Sequence, residues 1–190
     1  MKANRQKNQL RLIAGTWRGR KLPFAPIHGL RPTPDRVRET LFNWLSPVIR
    51  GARCLDLFSG SGALGFEAAS RGAAEVILVD SHAEVVRCLK QQIDVLDARQ
   101  VRVVQAECSL YLHGRPRPMD IVFLDPPYRE NLLPGCIEQL ESGGWLADEA
   151  WVYIETGQDT ELELPGNWET FRSMSAGQVI SHLIRRHAGV

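Results

Sequence analysis

The stretch Asp125-Pro126-Pro127-Tyr128 brings together residue types that could hold a flat ring bearing an amino group. It follows the apolar run Met119–Leu124, which has the composition of a buried strand. Proline cannot donate to a sheet and keeps the residue before it extended, so the strand must end at Asp125. A carboxylate, a proline carbonyl and an aromatic ring are then presented from one rigid turn. The same pattern also suits an ordinary Pro-Pro turn whose aspartate caps the next helix.

A second group of residues, nearer the start of the chain, could hold a nucleotide-type cofactor. Gly60, Gly62 and Gly65 follow a predicted strand and open a helix, and Asp80 lies 20 residues after Gly60 at the end of the next strand. This is the spacing at which an acid meets ribose hydroxyls in a Rossmann unit. The pattern predicts a nucleotide-type cofactor and leaves open which one binds.

An acid beside the glycine loop narrows that choice. Asp56 lies near the end of the strand before the loop, where its carboxylate would repel a pyrophosphate and attract an amino group. S-adenosylmethionine carries a sulfonium and an ammonium and no phosphate, so we expect it to be the cofactor. Ser59 belongs to the same loop. Glu107, after the third predicted strand, is positioned either to accept from the adenine amine or to remain a solvated loop acid.

With such a cofactor, the Asp125 turn acquires a chemical role. An exocyclic base amine is a poor nucleophile because its lone pair is delocalised into the ring. The Asp125 carboxylate and the Pro126 carbonyl could accept its hydrogens and stabilise the positive charge that develops on nitrogen. Pro127 keeps the turn stiff, and Tyr128 would stack on a base that is unpaired or flipped out.

The elements that must position these residues alternate between strand and helix from Ala52 onward, which is typical of a parallel, helix-covered sheet. An earlier helix is expected to begin at Pro34 with Thr33 as its N-cap. Ser81 and Glu84 predict a capping box at the helix after the second strand of the sheet. The predicted strands of this sheet are Cys54–Phe58, Glu75–Asp80, Val101–Ala106, Met119–Leu124, Ala150–Thr156, Trp168–Met174 and Gln178–Arg186, with a further helix over 130–142.

The first 38 residues carry ten Lys or Arg residues and one acid, whereas the rest of the chain has 13 basic and 21 acidic residues. Two short strands, Leu10–Ala14 and Trp17–Leu22, predict a β-hairpin in this basic segment. Basic groups around Trp17 could bind phosphates and stack on a base, or Trp17 could anchor a plain edge hairpin. We expect the RNA-binding residues to be Arg18, Arg20, Lys21, Arg31 and Arg36.

Composition limits the remaining possibilities. No stretch has the length and apolarity of a membrane span or a signal peptide, so we expect a cytoplasmic protein. The four cysteines and five histidines are scattered and show no zinc spacing, which predicts free thiols and no metal site. The 190 residues fit an N-terminal extension over 1–30 and one domain over 31–190.

The motif residues resemble one group of enzymes. The loop Asp56–Gly65 and the turn Asp125–Tyr128 are similar to those of Rossmann-like methyltransferases that act on amino groups. More narrowly, the chain resembles the bacterial RsmD family, guanine-N2 methyltransferases of 16S ribosomal RNA, from about Leu10 to Arg186. The stretches that carry this narrower resemblance are Ile13–Leu22, Leu30–Leu45 and Gly143–Ala150.

The resemblance implies an α/β, Rossmann-like class I fold whose mostly parallel seven-stranded sheet has helices on both faces and an antiparallel inserted last strand. It implies methyl transfer from S-adenosylmethionine to a guanine N2 in 16S rRNA, with the assembling 30S subunit as substrate, and we expect a monomer. Ser59 stands where the family often has alanine, Asp80 replaces a common glutamate, and Glu107 occupies a variable position.

Three other functions are compatible with parts of the sequence. The Asp125 motif alone equally permits a DNA amino methyltransferase, although nothing resembles a DNA-specificity domain. A nicotinamide-dependent oxidoreductase would use the glycine loop but leave the Asp125 turn and the basic hairpin without a role. A non-catalytic RNA-binding module would use the hairpin alone. The motif itself does not select guanine, so that choice rests on the resemblance.

Overall fold

The computed structural model describes residues 8–27, 32–127 and 131–189. Within them, two short strands form a separate antiparallel pair, seven strands form the main sheet, and five helices surround it. The short pair consists of β1 (Gln9–Arg11) and β2 (Lys21–Pro23). The strands of the main sheet are β3 (Arg53–Asp56), β4 (Glu75–Asp80), β5 (Val101–Gln105), β6 (Met119–Leu124), β7 (Leu146–Gly157), β8 (Trp168–Ala176) and β9 (Val179–Arg186). The helices are α1 (Asp35–Trp44), α2 (Ala63–Ser70), α3 (Ala83–Leu96), α4 (Cys108–Leu112) and α5 (Leu133–Ser142).

The main sheet has the strand order β5-β4-β3-β6-β7-β9-β8. Strands β5, β4, β3, β6 and β7 are parallel, and β9 lies antiparallel between β7 and β8. The predicted fold class and the inserted last strand are therefore confirmed. The apolar runs of β4 and β6 are buried almost throughout, as expected for central strands covered on both faces.

Two buried clusters lie on the two faces of the sheet. One contains residues of α1, α2 and α3 against the sheet, with the Phe123 ring between those of Phe42 and Tyr153. The other contains residues of α4 and α5. Helices thus cover both faces, and the strand ends between them are left available for a site.

Two predicted helix caps are wrong. Helix α1 begins one residue later than predicted, with Pro34 as its N-cap and no side-chain capping bond, while the Thr33 carbonyl accepts from Arg38 (3.1 Å). The capping box at α3 does not form, and His82 is the N-cap instead. The helix begins one residue later than a Ser81 cap requires, so the Ser81 hydroxyl lies outside the capping position, and the Asp80 carboxylate accepts from the backbone N–H of His82 (2.9 Å).

Strand β7 also differs from its prediction, since it begins at Leu146, four residues before the expected Ala150. The sheet pairing explains part of this extension, because Leu146 pairs with Met119 across an irregularity in the ladder. Strand β3 ends at Asp56, which makes that residue the last one before the loop.

The N-terminal hairpin is shorter than predicted because side chains of α2 take the backbone groups of its turn. Glu67 accepts from the N–H groups of Ile13 (2.8 Å) and Ala14 (3.1 Å). Ser70 accepts from the Trp17 N–H (3.0 Å) and donates to the Ala14 carbonyl (2.6 Å). These groups are consequently unavailable for strand pairing, and the predicted boundary at residues 30 and 31 lies outside the described residues.

Other features of the composition can be compared with the described residues. Cys54, Cys108 and Cys136 are buried free thiols, and the Sγ atoms of Cys108 and Cys136 are 3.0 Å apart. No described helix is long and apolar enough to cross a membrane. Across 8–27, 32–127 and 131–189 there is no group of three or more His, Cys, Asp or Glu side chains that could hold a metal.

Candidate active site

The carboxyl ends of four neighbouring strands carry the predicted cofactor and catalytic residues that the structure describes. Asp56 ends β3, Asp80 ends β4, Glu107 follows β5 and Asp125 follows β6. The chain order reverses between β3 and β6, and ligands of open α/β sheets bind at such a switch point. Asp56 pairs in register with Phe123, so the glycine loop and the Asp125 turn begin side by side.

The glycine loop is held by hydrogen bonds to both neighbouring strands. The backbone N–H of Leu57 donates to the Phe123 carbonyl (3.2 Å), and that of Ser59 donates to the Val79 carbonyl (3.0 Å). The Ser59 hydroxyl donates to the Asp56 carbonyl (2.9 Å). The loop is therefore fixed before any ligand binds.

Glycine is required where this loop turns into α2. Gly62 is the N-cap of α2 with φ of +79°, and a Cβ there would lie 2.5 Å from the Phe66 ring. A Cβ on Gly65 would lie 2.1 Å from Leu78, so α2 packs directly against β4. The first turn of α2 is thereby held close to the sheet edge.

Asp80 has a contact that the sequence pattern did not predict. One of its carboxylate oxygens accepts from the Gly60 N–H (2.9 Å) and the other from the His82 N–H (2.9 Å). The residue expected to meet a ribose therefore also positions the loop. A carboxylate offers about four acceptor sites, so both roles are chemically compatible.

Asp56 is a buried carboxyl group, 2% exposed. It accepts from the Gly65 N–H (3.2 Å). Burial raises the pKa of Asp56 from 3.8 to about 7, against the lowering effect of backbone hydrogen bonds from Gly65 and Phe58. A buried acid of this kind gains most from a cationic ligand, because a nearby positive charge favours its ionised form.

The Asp125 turn follows β6 directly. Asp125 is partly buried, Pro126 is buried and Pro127 is exposed, while Tyr128 lies outside the described residues. Burial raises the pKa of Asp125 well above its ordinary value, and the nearby carboxylates of Glu155 and Asp56 raise it further.

Glu155 is a residue of this edge that the sequence analysis missed. It is 6% exposed and accepts a hydrogen bond from the Tyr153 hydroxyl (2.6 Å), which also contacts the Ser181 hydroxyl (3.0 Å). Leu124 of β6 pairs with Ile154 of β7. The next residues, Asp125 and Glu155, are therefore neighbours on adjacent strands. An acid directly after the apolar run 150–154 was the available signal.

Glu107, in contrast, makes no capping hydrogen bond at the start of α4 and is exposed. The structure thus brings its backbone to the same edge of the sheet as the other residues. Its exposed side chain is what the alternative of a solvated loop acid expects. Its contact with an adenine stays a prediction.

The predicted RNA-binding residues that the structure describes are exposed. Arg18, Lys21 and Arg36 extend from the surface, and Arg20 donates to the Val95 carbonyl near the end of α3 (3.2 Å). Arg31 lies outside the described residues. Trp17 is partly buried against the core, as the anchoring alternative expected.

The hairpin lies next to the helix that begins at the glycine loop. Leu10 and Phe24 form a buried cluster with Ala63, the first residue of α2. Helix α2 therefore both follows the candidate cofactor loop and packs against the hairpin that carries the exposed basic residues.

A buried ion pair joins this extension to α1 and α2. The guanidinium of Arg38 is fully buried and lies 3.7 Å from Glu67, also fully buried, while donating to Asp35 (2.6 Å) and to the Arg11 carbonyl (2.9 Å). Arg71 also pairs with Glu67 (2.7 Å). The sequence analysis did not identify this network, although one acid among the small and apolar residues of α2 was a signal.

The strand order, the glycine loop at the switch point and the acid-Pro-Pro turn define a Rossmann-like class I methyltransferase. The model of a family described as Conserved hypothetical protein 95 matches residues 10–185. The chain belongs to this family, the RsmD family, as the resemblance implied.

Named relatives and a solved structure agree with that assignment. The chain is 50% identical over 181 residues to Ribosomal RNA small subunit methyltransferase D of Escherichia coli K12, covering 95% of this chain and 91% of that protein. The protein of the same name from Haemophilus influenzae is 44% identical over 177 residues, covering 91% and 92%. The solved structure of Escherichia coli yhhF has a TM-score of 0.88 at 49% identity, covering 96% of this chain and 100% of that chain.

Proposed function

We propose that the protein transfers a methyl group from S-adenosylmethionine to the exocyclic N2 amine of a guanine in 16S rRNA within the 30S subunit. The observation that carries this proposal is the position of Asp125 and Pro126 beside the glycine loop, at the switch point of the sheet. The names of the relatives supply the class of substrate, a small-subunit ribosomal RNA.

The residues at the glycine loop fit S-adenosylmethionine better than a dinucleotide. Asp56 is buried where the loop begins, and a pyrophosphate placed there would meet a negative charge at short range. An ammonium group would be attracted to the same carboxylate. We expect Asp56 to hold the amino group, Asp80 the ribose, and Ser59, Gly60 and Gly62 to shape the loop. Glu107 is the candidate for the adenine amine.

S-adenosylmethionine supplies a methyl group on a positively charged sulfur, which is electrophilic. The Asp125 carboxylate and the Pro126 carbonyl would each accept a hydrogen bond from the amine and direct its lone pair toward that methyl group. A new C–N bond would replace the C–S bond, S-adenosylhomocysteine would leave, and the methylated nitrogen would release one proton to the Asp125 carboxylate or to water. Both acceptors also stabilise the charge that develops on nitrogen, which is worth most in a site that excludes water. Holding the amine in line with the methyl group accounts for much of the remaining acceleration.

Asp125 stabilises the developing positive charge on nitrogen best when it is ionised. Its raised pKa therefore predicts that a proton is lost from the turn when the base binds, since an amine donating to a carboxylate favours the ionised form. Pro127 limits the movement of the turn, and we expect Tyr128 to stack on the extruded base.

The basic extension is the candidate surface for the RNA backbone. Arg18, Arg20, Lys21 and Arg36 can neutralise phosphates without reading sequence, and Arg31 is proposed for the same role. Small-subunit rRNA is assembled into ribosomes in the cytoplasm, which is where we expect the enzyme to act. A monomer without a metal ion is sufficient for this chemistry.

The test incubates the protein with methyl-labelled S-adenosylmethionine and 30S subunits from cells that lack the modification. We expect one labelled nucleoside, N2-methylguanosine, at one position of 16S rRNA. Label in adenine, or in double-stranded DNA offered in parallel, would contradict the proposal. The DNA methyltransferase alternative is not favoured by the relatives, and an oxidoreductase would instead be stabilised by NADH and not by S-adenosylhomocysteine.

A further inference from the structure

Glu155 occupies the strand position next to the catalytic turn. Leu124 of β6 pairs with Ile154 of β7, so Asp125 and Glu155 are the next residues on adjacent parallel strands. Such neighbours have Cα atoms about 4.8 Å apart. The two carboxylates therefore border the same small region at the edge of the sheet.

Both side chains lie on the face of the sheet that α1 covers. The Tyr153 and Phe123 rings pack against one another there (6.4 Å), and side chains two residues further along a strand return to the same face. Tyr153 donates its hydroxyl hydrogen to Glu155, which fixes the glutamate on this face. A carboxylate accepts several hydrogen bonds at once, so this bond is compatible with a further donor from a ligand.

Guanine presents a row of donors on one edge. One hydrogen of its N2 amine points the same way as the adjacent N1–H, and the other hydrogen of the amine points toward the N3 side. Asp125 and Pro126 supply acceptors for the amine. The neighbouring N1–H needs a third acceptor beside them, because a buried donor left without a partner is costly.

We propose that Glu155 accepts the N1–H of the target guanine and thereby selects guanine over bases whose corresponding nitrogen carries no hydrogen. This inference rests on the proposed function, since it concerns the base that Asp125 and Pro126 hold. It gives the site a reason to prefer guanine that the Asp-Pro-Pro-Tyr motif does not contain.

Rejection of adenine follows from the same geometry. Adenine carries an amine beside N1, but its N1 has a lone pair and no hydrogen. That lone pair would face the Glu155 carboxylate and repel it, so the site combines an attraction for guanine with a penalty for adenine. Sites that bind a substrate N–H reject analogues lacking it by about 10⁴-fold to 10⁵-fold.

The test compares guanine with 2-aminopurine, which keeps the 2-amine but has no hydrogen on N1. The base is placed at the mapped position of 16S rRNA by splinted ligation, and the RNA is reconstituted into 30S subunits. We expect the wild-type kcat/KM to favour guanine by at least about 10³-fold. Glu155→Gln presents an amide that can donate to the bare N1, so the preference should fall at least tenfold.

Tyr153→Phe is the matched control because it removes the hydrogen bond to Glu155 but keeps the carboxylate. It should retain most of the guanine preference even if the overall rate falls, and Glu155→Asp should retain part of it. Equal losses with both bases in Glu155→Gln, leaving the ratio unchanged, would overturn the inference and assign Glu155 a structural role.

Failure of the broader proposal gives a different result. If the wild-type protein methylates no guanine at all, the proposed function is wrong, whatever Glu155 does. Binding of S-adenosylhomocysteine, measured by calorimetry, checks each variant's fold. We expect its affinity to change less than about threefold in Glu155→Gln, because the inferred contact is with the base alone.

Discussion

At the scale of single residues, the unliganded site buries two carboxyl groups whose ionised forms are unfavourable there. Asp56 and Asp125 both have raised pKa values, chiefly because burial disfavours their ionised forms. Ligand groups that are positively charged or that donate hydrogen bonds relieve this cost. The same residues that serve the reaction should therefore lower the stability of the unliganded protein.

Replacing Asp56 with asparagine tests that cost. Between about pH 4 and pH 7 the folded protein holds a proton on Asp56 that the unfolded chain has lost, so its stability should fall as pH rises, by about 1.4 kcal/mol per pH unit. Asp56→Asn should remove the share of this slope that belongs to Asp56, leaving the share of Asp125, and should stabilise the cofactor-free protein at pH 8 by about 1 to 3 kcal/mol. Urea unfolding of both proteins at pH 5 and pH 8 measures the difference.

The same variant should lose affinity for S-adenosylhomocysteine at pH 8, because the amide no longer attracts the ammonium group. A variant that is equally destabilised at both pH values would contradict this interpretation of Asp56. It would show that the side chain matters only through its hydrogen bond to Gly65.

At the scale of elements, α2 connects the two halves of the proposed site. Its first residues follow the glycine loop, and its last turn holds the backbone of Ile13–Trp17 through Glu67 and Ser70. Gly15 lies so close to this helix that a Cβ there would be 1.8 Å from the Ser70 carbonyl oxygen. The proposed RNA-binding extension is thus built onto the helix that follows the proposed cofactor loop.

Ser70→Ala should loosen the extension without disturbing the cofactor loop. It removes hydrogen bonds to Ala14 and Trp17, at a cost of about 1 to 3 kcal/mol. We expect faster amide exchange over 12–20 and weaker RNA binding, with S-adenosylhomocysteine affinity within about twofold of wild type. Ser142→Ala, on the surface of α5, is the control.

Glu67→Gln is the more severe test, since it removes the buried carboxylate that faces both Arg38 and Arg71 and leaves the exposed Asp35 as the counter-charge of Arg38, so it should cost more stability than Ser70→Ala. Unchanged exchange over 12–20 in Ser70→Ala would contradict the proposed anchoring.

At the scale of the whole molecule, the positive charge is concentrated at one end of the chain, while the remainder has an excess of acids. This distribution favours binding of the RNA backbone by the extension and leaves the sheet edge to discriminate the base. Affinity and base selectivity should therefore depend on different residues.

Neutralising Arg18, Arg20 and Lys21 to glutamine should weaken RNA binding and reduce the slope of log Kd against log salt by about two. The guanine preference should not change. Arg115→Gln, an exposed residue before β6 and outside the hairpin, is the control and should leave the slope unaffected. An unchanged slope in the triple variant would show that the RNA backbone binds another part of the protein.

The sequence predicted the features that depend on local pattern. The apolar runs of β4 and β6 were predicted at their observed bounds, and the glycine spacing predicted the turn from β3 into α2. The family resemblance supplied the inserted strand. These features depend on short segments and the stiffness of proline and glycine, which are properties of the sequence itself.

What could not be predicted depends on partners distant in the chain. The cap of α3 is a local exception, because α3 begins one residue later than the Ser81 and Glu84 spacing predicts. The hairpin shortened because Glu67, more than 50 residues away, bound its turn. The local pattern predicts only a strand at Glu155, since its position beside Asp125 depends on the register of β6 and β7.

The most direct test of the central claim is the single-turnover methylation rate of Asp125→Ala on 30S subunits, with cofactor and RNA affinities measured on the same samples. We expect the rate to fall by at least about 10²-fold, because a charge-stabilising acceptor is lost, with both affinities retained. Glu138→Ala, an exposed acid on α5, should behave as wild type. An undiminished rate in Asp125→Ala would contradict the account.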